Sequence, residues 1–211
     1  MSRLEIERTL WQEGFRRIMG LDEVGRGCLA GPVVAAGVIL DPNNPIEGIQ
    51  DSKKLSLSER LRLSKEIKKK ALYYTIQEGD LAMIDRLNIL WASLETMNSC
   101  ATSTGANPDY LLVDGNRYVP TLLAHQCIVK GDSKSASIGA ASIIAKVYRD
   151  ELMASLHLEF PEYGWDNNVG YPTNAHRQAL KKYGYTPVHR TSFRTADTKI
   201  IEIKRGLSLF L

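Results

Sequence analysis

Ile18-Met19-Gly20-Leu21-Asp22-Glu23-Val24-Gly25-Arg26-Gly27 is a short apolar stretch that runs into two adjacent acids and then a glycine-flanked arginine. Its first five residues have the character of a brief strand, which the glycines bring to an end. Soon after, Val33-Val34-Ala35-Ala36-Gly37-Val38-Ile39-Leu40 is apolar without interruption and stops at Asp41-Pro42. Such a run suits a strand covered on both faces. Two glycine-flanked strands this close together predict an antiparallel hairpin. Asp22 and Glu23 then stand at the rim of a sheet.

The flanking sequence extends the same pattern in both directions. Leu4, Trp11 and Phe15 predict a short amphipathic helix over 4–15. Ser56-Leu57-Ser58-Glu59 resembles a capping box and predicts a helix reaching Lys70. A third strand is expected over 71–77 and a helix over 81–100. Tyr110-Leu111-Leu112-Val113-Asp114-Gly115 is another buried strand ending on an acid. A fifth strand, over 122–129, is closed by Lys130-Gly131-Asp132. The longest helix is expected over 135–158, with Ile138, Ala141, Ala145, Tyr148, Leu152 and Leu156 at helical spacing. A turn-rich region over 162–173 leads to a short helix over 174–182. The expected architecture is one α/β domain over 1–211. Its core spans about 1–160, and a mostly helical C-terminal part over about 161–211 lines a cleft.

Composition narrows the function classes. The 211 residues are 44% hydrophobic and 24% charged, as in ordinary globular proteins. No apolar run approaches the roughly 20 residues of a membrane helix, so no membrane association is expected. The N-terminus carries acids where an export signal is apolar. Cys28, Cys100 and Cys127 are odd in number and widely spaced, which fits neither a zinc site nor a disulfide framework. A cytoplasmic protein is expected. Net charge is only +3, yet 176–211 holds eight Lys or Arg against two acids. Lys65, Lys68, Lys69 and Lys70 form a second basic stretch. Either run alone reads as a solvated helix face, but beside an acidic cluster they suggest a track for phosphates.

That cluster is the main chemical signal. Asp22-Glu23, Asp114 and Asp132 each stand where an apolar strand ends. Asp-Gly and Gly-Asp are also plain turn chemistry, and any one of them supports that reading. Three such endings favour a site, because α/β sheets bind ligands at strand ends. Clustered carboxylates repel unless a cation neutralises them, and an all-oxygen donor set suits Mg²⁺ or Mn²⁺ acting on phosphodiesters. Successive strand residues face opposite ways, so the backbone is expected to leave strand geometry at Glu23, helped by Gly25 and Gly27.

The chain then resembles a known family, the bacterial ribonucleases HII. The resemblance rests on Gly20-Leu21-Asp22-Glu23-Val24-Gly25-Arg26-Gly27 and Leu29-Ala30-Gly31-Pro32-Val33-Val34. It continues through Asp51-Ser52-Lys53-Lys54-Leu55, Leu87-Asn88-Ile89-Leu90 and Val113-Asp114-Gly115-Asn116. Lys130-Gly131-Asp132, Ala140-Ala141-Ser142-Ile143-Ile144-Ala145-Lys146-Val147 and Gly170-Tyr171-Pro172-Thr173 complete it, in the family's order. The resemblance implies an RNase H-like mixed sheet flanked by helices. It implies an endonuclease that cuts the RNA strand of RNA/DNA hybrids and incises ribonucleotide-containing duplex DNA 5′ of the ribonucleotide. Asp22, Glu23, Asp114 and Asp132 would be its catalytic carboxylates. Asp22, Glu23 and Asp114 would hold Mn²⁺ or Mg²⁺, two ions at turnover.

By the same resemblance Gly25, Arg26 and Gly27 contact the ribose 2′-hydroxyl, the group that separates RNA from DNA. Tyr171 packs on the sugar at the junction, and Lys53, Ser142 and Lys146 contact phosphates. Asp150, one helical turn beyond Lys146, reads instead as its salt-bridge partner. The chain departs from the family at Cys28, usually proline, and at Val169, usually lysine. With 21 residues before Asp22, the related ribonucleases HIII, which carry a long N-terminal extension, fit less well. A monomer is expected. The alternatives are a resolvase-like nuclease on the same sheet and a catalytically silent nucleic-acid-binding module.

Overall fold

The computed structural model describes residues 4–193, with the side chain of Lys53 excepted. The basic positions Arg194, Lys199, Lys204 and Arg205 and the segment 206–211 therefore lie outside the described residues. Five strands form one mixed sheet in the order β3-β2-β1-β4-β5. They are β1 (Ile18–Val24), β2 (Val33–Ile39), β3 (Tyr73–Gly79), β4 (Tyr110–Asp114) and β5 (His125–Ile128). β1 and β2 pair antiparallel as the hairpin reading expects, and β3 continues antiparallel on β2. β1 pairs parallel with β4, and β4 with β5.

Among the described residues six α-helices accompany the sheet: α1 (Glu5–Gln12), α2 (Leu57–Lys70), α3 (Leu81–Ala101), α4 (Ala136–Glu159), α5 (Trp165–Asn168) and α6 (Asn174–Tyr183). Alternation along β1 and β2 sends side chains to two cores. Val34, Ala36 and Val38 pack with Ile143 and Ile144 of α4 and Leu63 and Ile67 of α2. Met19, Leu21 and Ala35 pack with Leu94, Met97 and Cys100 of α3. The capping box of α2 is present, with Ser56 Oγ accepting from Glu59 N at 3.3 Å. The C-terminal part closes over Leu29, Ala30 and Met153 through Tyr163, Trp165, Ala179 and Leu180.

Some expected boundaries move. β3 lies two residues later than read. β5 is four residues long, because Leu122 is fully exposed and joins no strand. α3 is interrupted at Asn88, whose φ of 65° is left-handed. Asn88 Oδ1 accepts from Leu90 N at 3.0 Å, so this residue caps the second half of the helix. In the latter half of α4 the buried stripe is Arg149 and Met153, while Tyr148, Leu152 and Leu156 are only partly covered. A charged residue on that stripe is the feature that apolar counting passes over.

α4 lies directly on β1. A Cβ at Gly20 would run into the backbone carbonyl of Ser137. The start of α4 is fixed from below by Glu7, which is fully buried. Its Oε1 accepts from Ser135 Oγ at 2.6 Å and Ser137 N at 2.9 Å, a carboxylate at a helix N-terminus. Gly20→Ala is therefore expected to cost about 3 kcal/mol or more through overpacking against backbone. That corresponds to a melting temperature lower by roughly 6–12 °C in a chain of this size. A calorimetric melt within about 2 °C of wild type would contradict this contact.

Candidate active site

Parallel pairing of β1 with β4 places Leu21 opposite Val113, so Asp22 and Asp114 stand just past that rung on neighbouring strand ends. Both follow residues of the α3-side core, and by alternation both turn toward the α4 side. Asp22 is 8% exposed. Its Oδ1 accepts from Glu23 N at 2.8 Å, and the Ser142 hydroxyl on α4 lies beside it. Ser142 Oγ and Ser52 Oγ are hydrogen-bonded at 3.0 Å. The Ser52-Lys53-Lys54 turn is thereby tied to α4 beside the acid.

Glu23 behaves differently from expectation. The β1–β2 ladder runs in register through Glu23↔Ala35 and Val24↔Val34, so the strand does not break at Glu23. The backbone turns at Gly25, whose φ is +93°. Glu23 consequently keeps to the α3 side, in an open cleft of about 350 Å³ that Arg26, Leu94, Asp114 and Arg117 also line. Its Oε1 pairs with Arg26 Nη1 at 3.1 Å. Asp114 Oδ1 accepts from Gly131 N at 2.6 Å, which docks the turn carrying Asp132 against the end of β4. Asp132 is half-buried on the 3₁₀ turn Gly131–Ser133 that enters α4, beyond β5 rather than at its last residue.

Charge is crowded here. Burial first, then the carboxylates of Glu23 and Asp114, hold the Asp22 carboxyl well above its ordinary pKa. Burial also raises Glu23, with Arg26 opposing and Asp114 adding to the rise. Among the described residues no three acidic, histidine or cysteine side chains converge on one point, because Glu23 leans to Arg26 and Asp114 to the Gly131 amide. The donor chemistry nevertheless fits a hard divalent cation: all oxygen, anionic, part-buried and short of positive charge. Asp22, Glu23 and Asp114 are the residues that would hold it.

The other expected residues fall around this centre. Gly25 lies flat on the Arg149 side chain, which a Cβ there would strike. Gly27 faces the Tyr171 ring, its nearest would-be neighbour at 3.8 Å. Tyr171 is 39% exposed. Lys146 Nζ pairs with Asp150 Oδ1 at 2.6 Å, and Asp150 Oδ2 also meets Arg60 Nη1 at 3.3 Å. The side chain of Lys53 lies outside what is described.

Sequence reading missed a histidine pair behind Tyr171. His189 Nδ1 accepts from Thr186 N at 3.0 Å, which leaves its Nε2–H to donate to His176 Nε2 at 3.1 Å. Trp165 Nε1 donates to the same acceptor at 3.2 Å. His176 Nδ1–H then donates to the Tyr171 carbonyl at 3.0 Å. Burial lowers the pKa of both rings, that of His189 to about 3. Both work as neutral rings. Only spacing across a turn-rich segment links them in sequence, and no periodicity marks them.

The sequence and the fold match known proteins. The family model for ribonuclease HII matches residues 19–196. The ribonuclease HII of Salinibacter ruber is 50% identical over 194 residues, covering 90% of this chain and 97% of that protein. The ribonuclease H2 structure from Pyrococcus horikoshii superposes with a TM-score of 0.73 at 27% identity, covering 89% of this chain and 97% of the other. The RNase HII of Archaeoglobus fulgidus, solved in complex with PCNA, gives the same score and identity over 85% of this chain and 96% of that one.

Two measurements check this electrostatic picture. A carboxyl whose pKa is raised by folding destabilises the fold when ionised, so Asp22→Asn is expected to raise the melting temperature near neutral pH by roughly 2–5 °C. An unchanged or lower value would refute the crowding. The histidines have the opposite sign: their depressed values make stability full above the unfolded value of 6.5 and lost as pH falls toward about 3. In the Asp22→Asn protein, melting temperature is expected to drop between pH 6.5 and 5, less so in Asp22→Asn/His189→Gln. Equal slopes would refute the neutral pair.

Proposed function

The chain belongs to the ribonuclease HII family, and on that premise we propose that Asp22, Glu23 and Asp114 hold divalent cations, two at turnover, and that the enzyme incises DNA 5′ of embedded ribonucleotides. Membership makes it a metal-dependent endoribonuclease of RNA/DNA hybrids. The observation that carries the site is the placement of Asp22 beside Asp114 on adjacent parallel strand ends, with Asp22 buried and its pKa raised by its neighbours. Mg²⁺ or Mn²⁺, when bound, supplies charge neutralisation at the scissile phosphate and a more acidic water.

The chain's own residues do the rest. Ser142, backed by Ser52, orients the Asp22 carboxylate. Asp132, on the turn docked to Asp114, is the fourth catalytic carboxylate. The backbone of Gly25, Arg26 and Gly27 reads the ribose 2′-hydroxyl, and the exposed Tyr171 ring packs on the sugar. The Tyr171 ring stands 3.8 Å from where a side chain at Gly27 would begin, which supports one shared ribose pocket. Lys53 and Lys146 are read as phosphate contacts, with Lys146 exchanging Asp150 for phosphate, whereas Ser142, buried against Ser52, faces the acid rather than a phosphate. The segment 161–193 forms the cleft wall of a single-domain monomer acting in the cytoplasm. No helix of the described residues is long and apolar enough to cross a membrane.

Family membership sets aside the resolvase-like and silent-module alternatives. A duplex DNA bearing one ribonucleotide, incubated with Mg²⁺ or Mn²⁺, is expected to be nicked on its 5′ side. Asp22→Asn is expected to abolish nicking while remaining folded. Folded wild-type protein that cuts hybrids but leaves this duplex intact would end the claim of ribonucleotide incision, and an active Asp22→Asn protein would end the cation assignment.

A further inference from the structure

Two arginines lie inside the protein beneath the ribose-facing loop, each only 1% exposed. Neither forms an ion pair with any described acid. Their partners are backbone carbonyls. Arg149, on α4, donates through Nη1 to Val169 O at 2.8 Å, through Nη2 to Ala30 O at 3.1 Å and through Nε to Pro32 O at 3.2 Å. Arg190 donates through Nε to Gly31 O at 2.8 Å and through Nη1 to Arg26 O at 3.0 Å.

Burying a guanidinium without a counter-charge is costly, and apolar residues of similar volume usually serve stability as well or better. Stability alone therefore gives a poor reason for two of them side by side. Arg190 Nη2 even lacks a partner among the described residues. Burial, with Arg149 as a like charge nearby, lowers the Arg190 pKa to about 10. What the planar fork supplies is geometry, since it fixes several acceptors in one rigid pattern.

The carbonyls so fixed belong to the two segments that face the sugar. One is the loop from Arg26 to Pro32. The other is the Val169-Gly170-Tyr171 strip. The backbone joins them once, through Leu29 N to Gly170 O at 2.8 Å, and the segment of Arg190 adds its own N–H to Leu29 O at 2.8 Å. Val169 has a φ of +43°, a left-handed geometry that a β-branched residue adopts only when held there. Arg149 Nη1 is what holds its carbonyl, with the Cys28 thiol 3.6 Å away on the same oxygen. Burial, and then Cys28 beside it, raises the pKa of the Tyr171 hydroxyl. Arg149 also fills the space under Gly25.

We propose that Arg149 and Arg190 are positioning residues for ribose recognition, setting the gap between the 25–27 loop and Tyr171 and thereby choosing which phosphodiester is cut. This rests on the reading of those two elements as the ribose contacts. Neither arginine touches substrate. Each acts through the carbonyls it holds, and lysine, with a point charge, cannot replace the fork.

The test uses duplex DNA in which one strand carries a short run of ribonucleotides flanked by deoxyribonucleotides. Cut positions and steady-state rates are read for Arg190→Lys and Arg149→Lys. Expected are cuts spread over neighbouring positions and a kcat lower by about tenfold, with KM changed by less than about threefold. A role in folding alone would lower the active fraction but leave the cut positions of surviving molecules as in wild type. That outcome would overturn the proposal, and so would failure of both variants to fold, which would make these arginines structural cations. Gly27→Ala and Tyr171→Ala test the underlying reading separately. If these two keep the wild-type cut pattern, the ribose contacts are wrong and the proposal falls with them. If they lose it while both lysine variants keep it, the contacts stand and only the positioning role is overturned.

Discussion

Parallel pairing between β1 and β4 forces two carboxylates side by side, and much of this molecule follows from holding them there. Asp22 and Asp114 stand just past the last paired rung of the neighbouring strands β1 and β4, near the position where an α/β sheet collects ligands. Helix α4 covers Asp22, which removes it from water and raises the cost of its charge. The glycine at position 20 is the condition for that cover, since α4 meets β1 backbone to backbone there. Glu7 secures the start of the same helix. The crowded site thus sits on a closely packed pair of elements, as a catalytic constellation requires.

The second half of the site is built differently. No strand or long helix carries the 25–32 loop or the 169–171 strip, although Leu29, Ala30 and Val169 anchor them in an apolar cluster with Met153 and Trp165. Arg149 and Arg190 also grip their backbone carbonyls, and a neutral histidine pair lies behind Tyr171. A hydroxyl-sized difference between two sugars is decided over distances that loose loops do not hold, and polar clamps restore the rigidity. Local strain at Val169 fits a segment whose geometry is imposed by its neighbours.

Legibility in the sequence followed the same division. Strands β1, β2 and β4 were readable because their apolar runs are continuous and end on acids, and α4 because its helical spacing is long. Of the carboxylates Asp114 alone ends its strand; β1 runs on to Val24 past Asp22, and Asp132 lies on a turn beyond β5. The geometry at Glu23 was not: alternation demanded a break that the ladder does not show, because the turn is delegated to Gly25. β5 was overread because Leu122 is apolar yet exposed. His176 stands on α6 while His189 and Arg190 lie in the turns after it, and only three-dimensional closure brings them together. Arg149 alone left a trace, a charge on the buried face of α4.

The most direct measurement is titration of Mn²⁺ into metal-free protein, followed by water-proton relaxation, for wild type, Asp22→Asn and Asp114→Asn. The expected result is Mn²⁺ binding by wild type that is weakened at least tenfold in either variant, since each removes a charged oxygen donor from one shared site. Equal Mn²⁺ affinity in all three proteins would contradict a cation site at the paired strand ends.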